Sequence, residues 1–153
     1  IAKLKLCYFK FNLYYDLHPW YGTRACKIKN LISPTWLKYI KPKKYPLWRL
    51  DTFFSKTKYT NVQVIQDGGW HFSNLKSPED IEDKMLNFGH HNEIEDSGIG
   101  LKDIKSMIDK KKVIFAHNRK PGDPSINLSR LTKQELPKYV TDNIDKYSDW
   151  LDK

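Results

Sequence analysis

The stretch "NVQVIQDGGWHFSNLKSPEDIEDKML", residues 61–86, decides how this chain reads. Its opening, "NVQVIQ" (61–66), is rich in β-branched residues and predicts a strand, which Asp67-Gly68-Gly69 ends. Ser77, Pro78 and Glu79 predict a helix start, because a serine side chain can accept from the free N–H groups of a first turn. Ile81, Met85 and Phe88 then share one face, and Gly89 stops the helix. Between strand and helix stand Trp70, His71, Phe72 and Ser73. Two aromatics around an imidazole either plug a core or line a site.

The same pattern continues in both directions. Leu4, Leu6 and Tyr8 alternate within "LKLCYFKFNLYY" (4–15) and favour a strand, with helix as the competing reading. "DLHPWYGT" (16–23) reads as a loop and "RACKIK" (24–29) as a short strand. Ser33-Pro34 predicts a helix start, and the two prolines of residues 41–51 predict irregular chain. Leu101, Ile104 and Ile108 mark a helix, "KVIFAH" (112–117) a strand and "NRKPGDPS" (118–125) a loop. Val140, Ile144, Tyr147 and Leu151 predict a last amphipathic helix after Pro137. Strands alternating with helices predict the α/β class.

Composition narrows the function classes. The chain has 153 residues, with 27 Lys+Arg against 18 Asp+Glu and a formal charge of +9. Such a balance suits nucleic acid, anionic membranes or phosphorylated small molecules, although the basic runs, "KPKK" (41–44) and "KKK" (110–112), also serve as solvated faces. Aromatics make up 14 %, enough to fill a core and still offer flat faces to sugars or bases. Cys7 and Cys26 supply neither a disulfide framework nor metal-site spacing, and both are expected to be buried thiols. No segment approaches the roughly 20 apolar residues of a membrane span. The chain opens on Ile1 inside an apolar stretch, as expected of a piece of something longer.

Three clusters carry candidate chemistry. Trp70-His71-Phe72-Ser73 is the first. The second is "HHNEIED" (90–96), where His90, His91, Glu93 and Asp96 offer an acid–base pair or metal ligands without metalloprotease spacing. In the third, "HNRKPGD" (117–123), Arg119 and Lys120 suit a phosphate. Each has a plain structural alternative, respectively a core aromatic pair, a polar turn and a solvated loop. Gly98-Ile99-Gly100 lacks the third glycine of a dinucleotide loop.

Taken in order, these pieces resemble glycosyltransferase family 17, the family of β-1,4-mannosyl-glycoprotein N-acetylglucosaminyltransferases. The resemblance rests on Gly69-Trp70-His71-Phe72-Ser73, then Phe88 and His90 closing a helix, then Glu93. Upstream, "YFKFNLYYDLHPWYGT" resembles the family's Tyr/Asn-rich segment followed by Trp-x-Gly-Thr, here Trp20, Gly22 and Thr23. Downstream, "LPKYVTDNIDKYSDWL" resembles its closing Leu-Pro-x-Tyr helix. Two features depart from it. Leu75-Lys76-Ser77 replaces a Gly-Gly turn, and no Asp-x-Asp precedes Asp51.

The resemblance implies that residues 1–153 are one partial domain, the C-terminal part of a GT-A-like nucleotide-sugar transferase whose N-terminal half is absent. It implies transfer of N-acetylglucosamine from UDP-GlcNAc to a mannose hydroxyl of a glycan. Glu93 is then the base that takes the acceptor proton, assisted by His71. Trp70, Phe72, Ser73, His90, His91 and Arg119 bind substrate. A divalent metal, Mn or Mg, belongs to the complete enzyme with its ligands mostly outside this chain, so the chain alone is expected to be inactive. The partners are a nucleotide-sugar donor and a glycan acceptor, with no nucleic acid and no membrane segment. The compartment stays open, Golgi membrane for a eukaryotic relative and cytoplasm for a viral or bacterial one.

Two geometric expectations follow. His71, His90 or His91, and Glu93 should converge on one concave surface at the carboxyl edge of a sheet. Strand alternation should also turn Trp70 and Phe72 into packing, leaving His71 and Ser73 to line the site. The competing functions are a non-enzymatic basic module for nucleic acid and an inactive transferase remnant.

Overall fold

A computed structural model describes residues 1–17, 19–87, 98–114 and 127–153. Those residues form a mixed four-stranded sheet and four α-helices, which places the chain in the α/β class. The strands are β1 (Lys5–Tyr8), β2 (Leu13–Tyr14), β3 (Trp70–Ser73) and β4 (Ser129–Arg130), in the order β3-β1-β2-β4. The helices are α1 (Pro34–Tyr39), α2 (Pro78–Leu86), α3 (Leu101–Asp109) and α4 (Lys138–Asp142). The chain divides into two units that interleave in sequence, residues 1–5 with 19–71 and residues 6–18 with 72–153. The division passes through β1 and β3.

In unit 1 the opening residues form the frame. Ala2 bridges Ile65 in parallel and Leu4 bridges Trp20 in antiparallel fashion. The Lys5 N–H donates to the Gly69 carbonyl (2.8 Å), and Gly68 donates to the Lys3 carbonyl (2.8 Å). A Cβ on Gly68 would come within 2.6 Å of the Ala2 Cβ, so only glycine admits this approach. The helix expected at Ser33-Pro34 is present as α1, with the Ser33 side chain accepting from the Trp36 N–H at 3.0 Å.

Two strand expectations in unit 1 are corrected. "RACKIK" forms no strand, and Ile28–Asn30 is instead a single 3-10 turn. "NVQVIQ" forms one bridge, at Ile65, with the Gln63 carbonyl accepting from the Ile1 amino group at 2.8 Å, and Ile65 remains 60 % exposed. The regular strand begins four residues after it, at Trp70. The contact of "NVQVIQ" with residues 1–3 amounts to one bridge, too short a ladder for a regular strand whatever its β-propensity.

Unit 2 contains the hairpin of β1 and β2, with Cys7 opposite Tyr14, and β4 pairs with β2 antiparallel. The Phe9 N–H donates to the Ser73 carbonyl at 3.1 Å. Together with the Lys5–Gly69 bond, this advances by equal steps along both strands, so β1 and β3 run parallel. Cys7, Phe11, Leu131, Leu136 and Val140 form a buried cluster, with Phe72, Tyr147 and Leu151 packed against it. The Phe11 ring meets Phe72 edge-on at 5.0 Å and Tyr147 at 5.4 Å.

Helix α2 begins where Ser77 and Pro78 predict, the Ser77 side chain accepting from the Asp80 N–H at 3.1 Å. Ile81 on α2 and Ile104 on α3 are fully buried where these helices pack together. Glu82 on α2 accepts from the Leu101 N–H (2.8 Å) and so caps α3. The last amphipathic helix is shorter than expected. It ends at Asp142, and a 3-10 turn at Ser148–Trp150 follows. Val140, Tyr147 and Leu151 still reach the cluster without a continuous helix. "KVIFAH" is described only as far as Ile114, and Lys112 makes a single bridge to Asn127.

Asp152 ties four parts of unit 2 together. Its carboxylate accepts from Lys111 (2.7 Å) and from the Arg130 guanidinium. Its backbone N–H and carbonyl bond the side chain of buried Asn12, at 2.8 and 2.9 Å. Burial pushes this carboxyl up, but Lys111 and Arg130 together outweigh burial and hold it below its ordinary value. The cysteine expectation is half right, since Cys7 is buried and Cys26 is exposed, and they are not joined to each other.

Candidate functional site

The site is built from the two motif segments that unit 1 brings beside the opening strand. Leu4 holds Trp20 through the bridge already described, and Lys5 holds Gly69 on the other side. The Trp20 indole lies over the His71 imidazole, with ring centres 4.4 Å apart and planes 15° from parallel. The glycine of Trp-x-Gly has a definite task here. A Cβ on Gly22 would stand 2.4 Å from the Trp20 indole nitrogen, so the ring occupies the space a side chain would need.

Gly69 has φ +125°, a conformation that favours glycine, and it sets the direction of entry into β3. Asp67, just before it, pairs with Lys5 at 2.9 Å. The hydrogen bond from Lys5 and its positive charge hold the Asp67 carboxyl below its ordinary value. This ion pair clamps the turn that presents Trp70 and His71.

The expected division of labour in Trp70-His71-Phe72-Ser73 is corrected in one member. Phe72 is half-buried and packs on Phe11, as expected. Trp70 is less fully covered than that expectation asks, with 36 % of it exposed. β3 is the edge strand of the sheet, and the apolar cluster that covers Phe72 does not include Trp70. His71 and Ser73 are both half-buried, His71 against Trp20 and Ser73 through its carbonyl to Phe9. Glu93, His90, His91 and Arg119 lie outside the described residues, as do Phe88 and Gly89.

In the sequence Trp20 reads only as part of a loop motif, with no role of its own. The signal available was Trp-x-Gly, an aromatic followed closely by a residue with no side chain to obstruct it. Among the described residues no group of three or more His, Cys, Asp or Glu is arranged to hold a metal ion. Unit 2 carries two shallow concavities. One of about 510 Å³ is lined by Lys133, Gln134, Leu136, Lys138 and Thr141. The other, about 320 Å³, includes Asn12, Ile144 and Asp152. Neither is lined by a residue of the Trp70–Ser73 strand.

No family model matches the chain, and neither does any curated protein or solved structure. The geometry of these residues is what bears on function.

Proposed function

We propose that the chain is the C-terminal part of a GT-A-like glycosyltransferase domain. In this reading the complete domain transfers N-acetylglucosamine from UDP-GlcNAc to a mannose hydroxyl of a glycan. One observation carries the reading. The Trp-x-Gly and Gly-Trp-His-Phe-Ser segments, far apart in sequence, lie on opposite sides of the opening strand, with Trp20 stacked on His71. Packing alone asks for apolar partners at such a place, whereas an imidazole held flat by an indole is a polar group with its orientation fixed.

Trp70 suits the C–H face of a sugar ring better than it suits a core, because it is exposed. His71 is held for positioning or proton handling, and Ser73 offers a hydroxyl to a sugar. Phe72 supports the strand from below. Glu93 takes the acceptor proton, while His90, His91 and Arg119 meet the diphosphate. A divalent ion supplies further charge neutralisation to the leaving diphosphate in the complete enzyme, from ligands mostly outside this chain.

The test is transfer of N-acetylglucosamine to a mannose-terminated acceptor by the product of the complete reading frame. His71→Ala and Glu93→Gln should each abolish most transfer with the fold kept, as read by circular dichroism. Absence of transfer by the unaltered product, with manganese or magnesium supplied, overturns the proposal. The chain of 153 residues is expected to bind UDP-GlcNAc weakly or not at all in calorimetry with manganese.

A further inference from the structure

We propose that the turn at residues 45–54 of unit 1 docks the protein onto an anionic lipid surface. Leu47, Trp48, Leu50, Phe53 and Phe54 fall within eight positions, and each is at least 70 % exposed, with Phe54 at 91 %. Single exposed apolar residues are ordinary, but five together with two Phe and a Trp are not.

The turn is built to present them. The Lys41 N–H donates to the Thr57 carbonyl (2.8 Å) and closes its base. Asp51 is gripped by both nitrogens of the Arg49 fork, at 2.6 and 2.7 Å, and by Lys58 at 2.9 Å. Thr52 is buried and donates its hydroxyl to the Arg49 carbonyl at 2.7 Å. Lys43, Arg49 and Lys58 surround the Tyr45 ring at 5.7 to 6.0 Å. Polar and ionic bonds thus hold the turn from behind, and the apolar side chains have no part in holding it.

Charge selects the occupant. Residues 41–58 contain Lys41, Lys43, Lys44, Arg49, Lys56 and Lys58 against the single carboxylate of Asp51. Lys41, Lys43, Lys44 and Lys56 flank the apolar positions in sequence and are exposed. Aromatic and aliphatic side chains that enter an acyl boundary, accompanied by exposed lysines that meet anionic headgroups, form the pattern of an interfacial anchor. Single-stranded nucleic acid would use the aromatics and lysines but has no use for Leu47 and Leu50. A second copy would bring the same positive charge to face itself. No helix of the described residues is long and apolar enough to cross a membrane, so this contact lies on the surface. The inference does not depend on the transferase reading.

The experiment is co-sedimentation of the chain with phosphatidylcholine vesicles, with and without phosphatidylserine. Binding should require phosphatidylserine and weaken as salt rises. Two triple variants, Trp48→Ser/Phe53→Ser/Phe54→Ser and Lys41→Glu/Lys43→Glu/Lys44→Glu, should each lower partitioning about tenfold or more. Circular dichroism checks their fold, and if the first unfolds, Trp48→Ser alone should still reduce binding. Vesicles should shift the emission of the chain to the blue, and Trp48→Phe should remove that shift while keeping the binding.

Indifference to phosphatidylserine, or binding that survives both triple variants, overturns the proposal. Three further results assign the patch to another occupant and overturn it as well. They are oligonucleotide binding lost in the same variants, a dimer on size exclusion that the serine variant dissolves, and vesicle binding absent from the product of the complete reading frame.

Discussion

The two units dispose of their apolar residues in opposite ways. Among the described residues, Leu4 and Ile40 are the only buried apolar side chains of unit 1, while the others, from Leu6 to Val140, belong to unit 2. The large exposed apolar residues divide the other way. Leu17, Leu86 and Tyr139 are in unit 2, and the rest, Trp48, Phe54 and Trp70 among them, are in unit 1. Unit 2 is held by side chains excluded from water, and unit 1 by bridges, caps and ion pairs along its backbone. Unit 1 leaves Tyr39, Trp48, Phe53, Phe54 and Trp70 facing solvent. Both the proposed sugar-facing strand residues Trp70 and His71 and the proposed lipid-facing turn fall in unit 1.

The strongest way to break this contrast is to empty the core of unit 2. Ile104→Ala should cost about 2–5 kcal/mol, because the residue is fully buried between packed helices. Urea unfolding would measure it, and a cost near zero would mean that unit 2 does not rest on that core. Asn12→Ala comes next, at about 1–3 kcal/mol, because it leaves the backbone of Asp152 without two hydrogen bonds.

Asp152→Asn sharpens the comparison through pH. The native carboxyl lies below its ordinary value of 3.8, so its contribution is present above that value. It is lost as pH falls through 3.8 toward the lower native value. The substitution should therefore cost about 1 kcal/mol near neutrality, since Lys111 and Arg130 stay in contact with water. It should flatten the loss of stability below about pH 4. Denaturant titrations at several pH values would show whether the two curves converge in acid.

In unit 1, His71→Ala removes one stacked ring and should cost about 0.5–1.5 kcal/mol, with Trp20 emission changed. Smallest of all, Trp48→Ser/Phe53→Ser/Phe54→Ser should alter stability by less than about 0.5 kcal/mol, since all three are solvent-facing. A large loss from that triple variant would erase the distinction between the units.

What was legible in the sequence is the local chemistry. Ser33 and Ser77 were readable as caps because a cap needs only its own first turn. The pattern Leu101, Ile104, Ile108 was readable because a helix satisfies its backbone internally. Strands depend on a partner that the sequence does not name. "NVQVIQ" had the composition but meets residues 1–3 through a single bridge, while Trp70–Ser73 takes its place in the four-stranded sheet. The closing segment kept its apolar register but broke at Asn143, since packing against the cluster tolerates a turn there.

The candidate site was legible in its residues and less so in their roles. Burying Trp70 followed from alternation, which fixes sides and says nothing of what covers each side. The Trp20–His71 stack and the exposed turn both needed tertiary placement, because exposure belongs to the folded chain. Aromatics at 14 % could have meant either core or surface, and here they mean both.

The parallel pairing of β1 with β3 has a consequence for how the chain reaches its native state. β1 and β2 lie a few residues apart and can zip together on the timescale of a hairpin, roughly microseconds. β3 must wait until everything between Tyr8 and Trp70 has been spanned, and β4 follows only after Asp109. Loop closure grows more costly with length, and distant pairings are rewarded only after that cost is met. During that interval both edges of the early hairpin carry unpaired backbone, the condition under which chains associate with one another. Refolding yield should therefore fall as protein concentration rises. The β1 edge is closed by the arrival of Trp70–Ser73, the same short strand that carries the candidate site.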